Sequence, residues 1–157
     1  MKGYTLIELL VGITIIGLIF SFGFVSFREF SRRQSILGAA KNIKGDLRLA
    51  QEEALSGTKP DEADCNSPET LTGYNFRVTS STTYSLEASC SGGDIETKEV
   101  TLPSDVNMST PEVNPILFKA VGQGTNIDSG SSIVITLTQV GTGTQATVTI
   151  SASGDIR

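Results

Sequence analysis

Histidine is absent from this 157-residue chain, and cysteine occurs only at Cys65 and Cys90. Without imidazole the commonest general base and metal ligand is missing, and two thiols cannot complete a structural zinc set. No phosphate-cradling glycine loop and no nucleophile motif occurs. Asp61, Glu62, Asp64 and Glu69 lie close together, yet they lack the glycine-positioned repeat of a calcium loop and read as a solvated segment. These absences predict no catalytic residue, no metal and no cofactor, so the chain reads as something other than an enzyme. Proline is absent before Pro60, which removes a proline-driven kink from whatever precedes it. Charge is absent from Leu9 to Phe27.

That last absence marks the principal feature. The nineteen residues Leu9 to Phe27 cover roughly 28 Å as helix, close to the roughly 30 Å hydrocarbon thickness of a bilayer. Gly12, Gly17 and Gly23 lie within the stretch and allow neighbouring helices to approach, although their spacing is not GxxxG. Glu8 sits between Ile7 and Leu9, where an ionised carboxylate is costly unless a cation meets it. A plain signal anchor is one alternative for such a segment, and a cleaved secretory signal ending at Ser21-Phe22-Gly23 is another.

The length suits one membrane helix and one domain of about a hundred residues. Net charge is -5, but it is unevenly spread. Residues 28–48 hold six basic residues (Arg28, Arg32, Arg33, Lys41, Lys44, Arg48) against Glu29 and Asp46, whereas from Leu49 onward five basic face fourteen acidic. A basic stalk carries an acidic head, and the head's charge disfavours broad nucleic-acid binding.

Beyond the apolar run, Phe30, Leu37, Ala40, Ile43, Leu47, Ala50 and Ala54 recur at helical steps, which predicts an amphipathic continuation ending near Ser56-Gly57. Helix from Thr5 to Leu55 would be roughly 75 Å long. A Pro/Asp/Glu-rich loop follows from Lys59 to Thr72. Period-two alternation then marks Tyr74-Phe76-Val78 and Tyr84-Leu86-Ala88, a hairpin turning at Ser80 to Thr82. Further strands are expected at Glu96 to Leu102, Ile116 to Val121, Ser132 to Leu137 and Gln145 to Ser151, the last two joined by Gly141-Thr142-Gly143. The predicted fold is α+β: a long amino-terminal helix whose amphipathic half covers one face of an antiparallel meander.

The segment Gly3-Tyr4-Thr5-Leu6-Ile7-Glu8-Leu9-Leu10-Val11 resembles the processing site of type IV prepilins and type II secretion pseudopilins, although Tyr4 stands where Phe or Met is commoner and three residues make a short leader. The resemblance implies residues 1–3 as leader peptide, 4–27 as transmembrane and assembly helix, 28–57 as amphipathic helix and 58–157 as β-rich head. It implies cleavage by a prepilin peptidase between Gly3 and Tyr4, N-methylation of Tyr4, and assembly register set at Thr5 and Glu8, whose carboxylate meets the terminal amine of a neighbouring subunit. The partners it implies are other pilin or pseudopilin subunits, the inner-membrane assembly platform and the membrane. The protein would be single-pass with an extracytoplasmic carboxyl-terminal domain, then part of a type IV pilus or secretion pseudopilus. By charge alone, Arg28, Arg32 and Arg33 against Lys2 argue for the opposite topology.

The second half is most similar to the H-type pseudopilin and FimT-like minor pilins, through Phe118 with Gly122 to Gly124 and the closing Ser153-Gly154-Asp155-Ile156-Arg157. Some of that group are associated with DNA uptake through a Gly-Arg-x-Arg ending. Here Asp155 replaces the first arginine, and a carboxylate repels phosphate, so nucleic acid is not expected as a partner. In an exported domain Cys65 and Cys90, about 24 residues apart, would close a loop worth roughly 3 kcal/mol; in a reducing compartment they would stay free thiols. The competing functional expectation is a single-pass anchored binding module that never assembles.

Overall fold

The structure is a computed structural model that describes residues 5–157, the side chains of 21–27 excepted. Gly3 and Tyr4 therefore lie outside the described residues. The chain divides between Gln34 and Ser35 into two compact units, and one helix, α1 (Leu6–Ser56), runs through that boundary.

In the first unit the large apolar side chains from Leu6 to Phe20 are exposed on every side of the helix. The Thr14 hydroxyl donates to the Val11 carbonyl at 2.8 Å, which satisfies a polar group inside an apolar stretch.

In the second unit the same helix becomes one-sided. Ile36, Ala39, Ala40, Ile43, Leu47, Ala50 and Ala54 are buried, a stripe at three- and four-residue steps. Phe30 and Leu37, expected on this face, are 62% and 53% exposed. Leu37 lies about 100° of helical rotation from Ile36, and Ile36 takes the inward place. Termination follows from Gly57, whose φ of 67° suits glycine, with the Thr58 amide returning to the Glu53 carbonyl at 3.3 Å as in a Schellman cap.

Seven strands follow: β1 (Leu71–Val78), β2 (Thr83–Cys90), β3 (Gly93–Thr101), β4 (Val106–Met108), β5 (Ile116–Lys119), β6 (Ser132–Gln139) and β7 (Gln145–Ser151). They form two antiparallel sheets rather than the single meander expected, a four-stranded sheet β3-β2-β1-β5 and a three-stranded sheet β4-β6-β7. The hairpins lie where alternation put them. After β3 the chain leaves the first sheet through Pro103, adds β4 to β6, then returns to place β5 beside β1. The β5 strand is also shorter than expected, because Ala120–Gly122 forms a 3-10 turn in which exposed Val121 takes φ 59°, a left-handed conformation unfavourable for a β-branched residue.

Helix and both sheets share one core: the α1 stripe packs in a cluster with Tyr74, Phe76, Tyr84 and Leu86 of the first sheet and Ile135, Leu137, Val148 and Ile150 of the second. Polar bonds set the helix's position. Buried Asp46 accepts from the Tyr84 hydroxyl at 2.7 Å and pairs with Lys98 Nζ at 2.7 Å, tying α1 to β2 and β3. Ser35 donates to Asp105 at 2.9 Å, and Gln51 Nε2 to the Gly154 carbonyl at 2.9 Å. The Tyr74 hydroxyl donates to the Thr58 carbonyl at 2.9 Å.

Burial first, and the Glu53 carboxylate second, push the Tyr74 phenol from 10.0 up to about 12. Burial and the Asp46 carboxylate push Tyr84 up as well. Because both folded values are raised, the stability linked to the neutral phenols is fully present below pH 10 and is lost as pH climbs through the folded values. Denaturation midpoints of the full chain in detergent should hold up to about pH 10 and fall toward pH 12. Tyr74→Phe should start from a lower midpoint, having lost the Thr58 bond, and decline less steeply over that interval; an unchanged slope would contradict the assignment.

Candidate functional site

The amino-terminal helix start is built by Thr5. The Glu8 amide approaches the Thr5 hydroxyl at 3.4 Å and the Thr5 carbonyl at 3.1 Å, so Thr5 caps α1 and Glu8 occupies the third helical position. Thr5-Leu6-Ile7-Glu8 has the sequence form of a capping box, and a carboxylate in the first turn is favoured by the helix dipole. Glu8 is exposed, and among the described residues its carboxylate meets no hydrogen-bond donor or cation. Leu6, Ile7, Leu9 and Leu10 around it are 56–82% exposed. A helix apolar on all sides is built to be covered by something other than water.

Among the described residues no helix is long and apolar enough to cross a membrane. The expected span was Tyr4 to Phe27, and its described charge-free part, Leu9 to Phe20, falls short of the roughly 20 residues a crossing needs. Of the remainder, Tyr4 lies outside the described residues, and of residues 21–27 only the helical backbone is described.

In the head, Cys65 and Cys90 are joined in a disulfide with Cα atoms 5.3 Å apart. It fastens the acidic loop before β1 to the end of β2, and the loop is held there further by the Ser91 hydroxyl, which donates to Glu69. Gly92 is required at the same place, since a Cβ would lie 2.6 Å from the Asp64 carbonyl oxygen.

The carboxyl terminus is folded back rather than free. Thr149 and Arg157 exchange backbone hydrogen bonds at 3.1 and 3.0 Å, Ile156 is buried, and Arg157 Nε pairs with Asp155 at 2.7 Å. Asp155 thus engages the tail's one arginine, and the tail covers the outer edge of β7.

Two charged groupings were not foreseen from the sequence. Asp46 entered the sequence reading only as one of two acidic residues in the basic stalk, and its junction role has a faint signal only in its place beside Leu47 on the inward stripe. On the outer face of the first sheet, Arg77 Nε binds the Glu87 carboxylate at 2.8 Å and its Nη2 binds Asp94 at 3.1 Å. Ser85 and Glu87 are buried there, although alternation marked them as outward-facing. An open recess of about 700 Å³ is lined by Gln123, glycines and serines from Ser129 to Ser153 with no titratable side chain, so its lining provides no acid–base pair.

A family model described as the prokaryotic N-terminal methylation motif matches residues 1–24. That motif is typical of type IV prepilin-like proteins. No curated protein and no solved structure matches the chain.

Replacing Cys65 and Cys90 together by serine should lower the unfolding free energy by about 3 kcal/mol, the chain-entropy value for a loop of this size. The difference between oxidised wild type and the double variant in a denaturant titration measures it, and a difference under about 1 kcal/mol would mean that the loop is already held by its other contacts.

Proposed function

We propose that this chain is a minor pilin or pseudopilin: a precursor held in the membrane by residues 4–27, cut between Gly3 and Tyr4, N-methylated at Tyr4 and assembled through α1 into a type IV pilus or type II secretion pseudopilus. The observation that carries this reading is Glu8. Its carboxylate stands among exposed leucines and isoleucines with no counter-charge among the described residues, within a matched methylation motif. A newly exposed, methylated amine on a neighbouring subunit supplies the missing cation, and pairing the two in an apolar surround fixes axial register between helices. Thr5 keeps the helix intact up to that point, so the carboxylate is presented on a rigid element rather than on a fraying end.

The head fits an outward position in such an assembly. It has its own core, its disulfide suits an oxidising extracytoplasmic setting, and its carboxyl terminus is folded back over β7. The role is structural, and the partners are other subunits of the same filament, the prepilin peptidase and the inner-membrane assembly platform. Nucleic acid is not proposed as a partner, because Arg157 is paired with Asp155.

Glu8→Ala should leave cleavage after Gly3 intact by intact-protein mass spectrometry, while incorporation into sheared filaments falls at least about tenfold, as loss of one buried charge pair implies. Normal incorporation would sink the pairing role. Gly3→Val should block cleavage, leaving a chain that begins at Met1 and stays in the membrane fraction.

A further inference from the structure

Two faces of the second unit carry charge that its own fold leaves unanswered. On α1, Lys41 and Arg48 are exposed and Lys44 is half-buried. Their spacing sets them on one side of the helix, away from buried Ile43 and Leu47. Among the described residues none of the three forms an ion pair, and Glu52, one turn beyond Arg48, does not reach it. Gly38 and Gly45 lie on the same side, and a Cβ at either would meet nothing within 4 Å. Glycine weakens a helix interior relative to alanine, and no contact within the chain calls for it here. Close approach by another backbone would.

The second face is the outer side of β3. Glu96 stands opposite Glu87 and Glu99 opposite Ser85, while Thr97 has no partner across the ladder. Residues three apart on a regular strand point to opposite faces; the extra residue of this bulge turns Glu96 and Glu99 to the same one. Arg77 is occupied by Glu87 and Asp94, so among the described residues Glu96 and Glu99 meet no cation. Like charges facing each other across a ladder, as Glu87 and Glu96 do, are unfavourable without compensation. β3 is moreover an edge strand of its sheet.

We propose that the basic side of α1, carrying Lys41, Lys44 and Arg48 beside Gly38 and Gly45, docks on the acidic outer side of β3, carrying Glu96 and Glu99, in a second copy of this chain. The charges are complementary and the dimensions agree: Lys44 to Arg48 spans about 6 Å along a helix, and Glu96 to Glu99, set by the bulge opposite residues two apart on β2, about 7 Å along the strand. The helix lies on the core side of the first sheet and Glu96 and Glu99 on its outer side, so one neighbour cannot engage both faces at once and the contact is heterologous. A heterologous contact that does not close propagates as an open helical array. The inference rests on the assembly reading and specifies which head surfaces meet.

The test uses processed full-length chain in detergent, mixed as isotopically heavy and light copies and treated with a zero-length carbodiimide cross-linker. Heavy–light links are expected from Lys41 or Lys44 to Glu96 or Glu99. The K41E/K44E/R48E chain should lose them at least about tenfold, as a cluster of charge pairs acting together implies, and mixing it with an E96K/E99K chain should restore linkage with the polarity reversed. Gly45→Leu should reduce the links without lowering the melting temperature. Heavy–light links between other head residues, with these pairs missing, overturn the inference and leave the assembly reading standing. No heavy–light links anywhere overturn both, and failure of the charge swap to restore linkage overturns the inference alone.

Discussion

The buried stripe of α1 from Ile36 to Ala54 is the constraint on which the head depends. Four of its seven buried apolar residues, Ala39, Ala40, Ala50 and Ala54, are alanine, small enough for strands to lie close, while Ile36, Ile43 and Leu47 fill the space between. Neither sheet has another apolar layer of comparable length. The first sheet presents Tyr74, Phe76, Val78, Tyr84, Leu86 and Ala88 to the core and the second presents Ile133, Ile135, Leu137, Val148 and Ile150; each would expose a wet apolar face without a cover. Apolar packing fixes that a helix lies there but fixes its rotation and axial position weakly. The polar ties do so: Asp46 to β2 and β3, Ser35 to the approach of β4, and Gln51 to the tail after β7. Each has a distinct partner on a different segment, so a slide of one residue would break all three.

One helix thus carries two surfaces with different demands. In the head it is one-sided, with water acceptable opposite the core. From Leu6 to Phe20 it is apolar on every side apart from Glu8, a surface for which water is a poor cover. The transition falls in the run from Arg28 to Arg33, where Arg28, Arg32 and Arg33 gather before the buried stripe begins at Ile36. Glu8 is the charged exception within the stretch from Leu6 to Phe20. Capping by Thr5 and the helix dipole lower the cost of placing a carboxylate in the first turn, but neither neutralises it. The remaining cost is the reason to expect a cation from outside the chain.

Much of this organisation was legible in the sequence, and the parts that were not share a cause. Helix α1 and the β1–β2 and β6–β7 hairpins are written in local periodicity and turn residues, which a single chain displays directly. The division into two sheets is not local. Nothing in Val106–Met108 announces that three residues will pair with β6, since a strand of that length has no period to detect. The burial of Asp46 was not legible because its own neighbours give no partner for it, and only the distant Tyr84 and Lys98 make that burial tolerable. Ser85 and Glu87 were marked outward by alternation, correctly as to face; their burial comes from Arg77 lying over them. Gly3 and Tyr4 rest on motif alone, whereas Cys65 and Cys90 are joined as their spacing allowed.

Charge placement on the head follows a rule that edge strands impose. Exposed ladder ends invite pairing with other chains, and the two sheets meet this differently. The edge of β7 is covered by the chain's own tail, with Arg157 returning to Thr149 and neutralised by Asp155. The edge of β3 is instead left open and charged. Acidic side chains there oppose sheet-to-sheet pairing between identical copies, because each edge would bring carboxylates against carboxylates. The same charges do not oppose a basic helix, and the chain carries one. In the proposed contact, a surface that rejects its own kind meets a different face of the same molecule, and such a contact is directional rather than a closed pair.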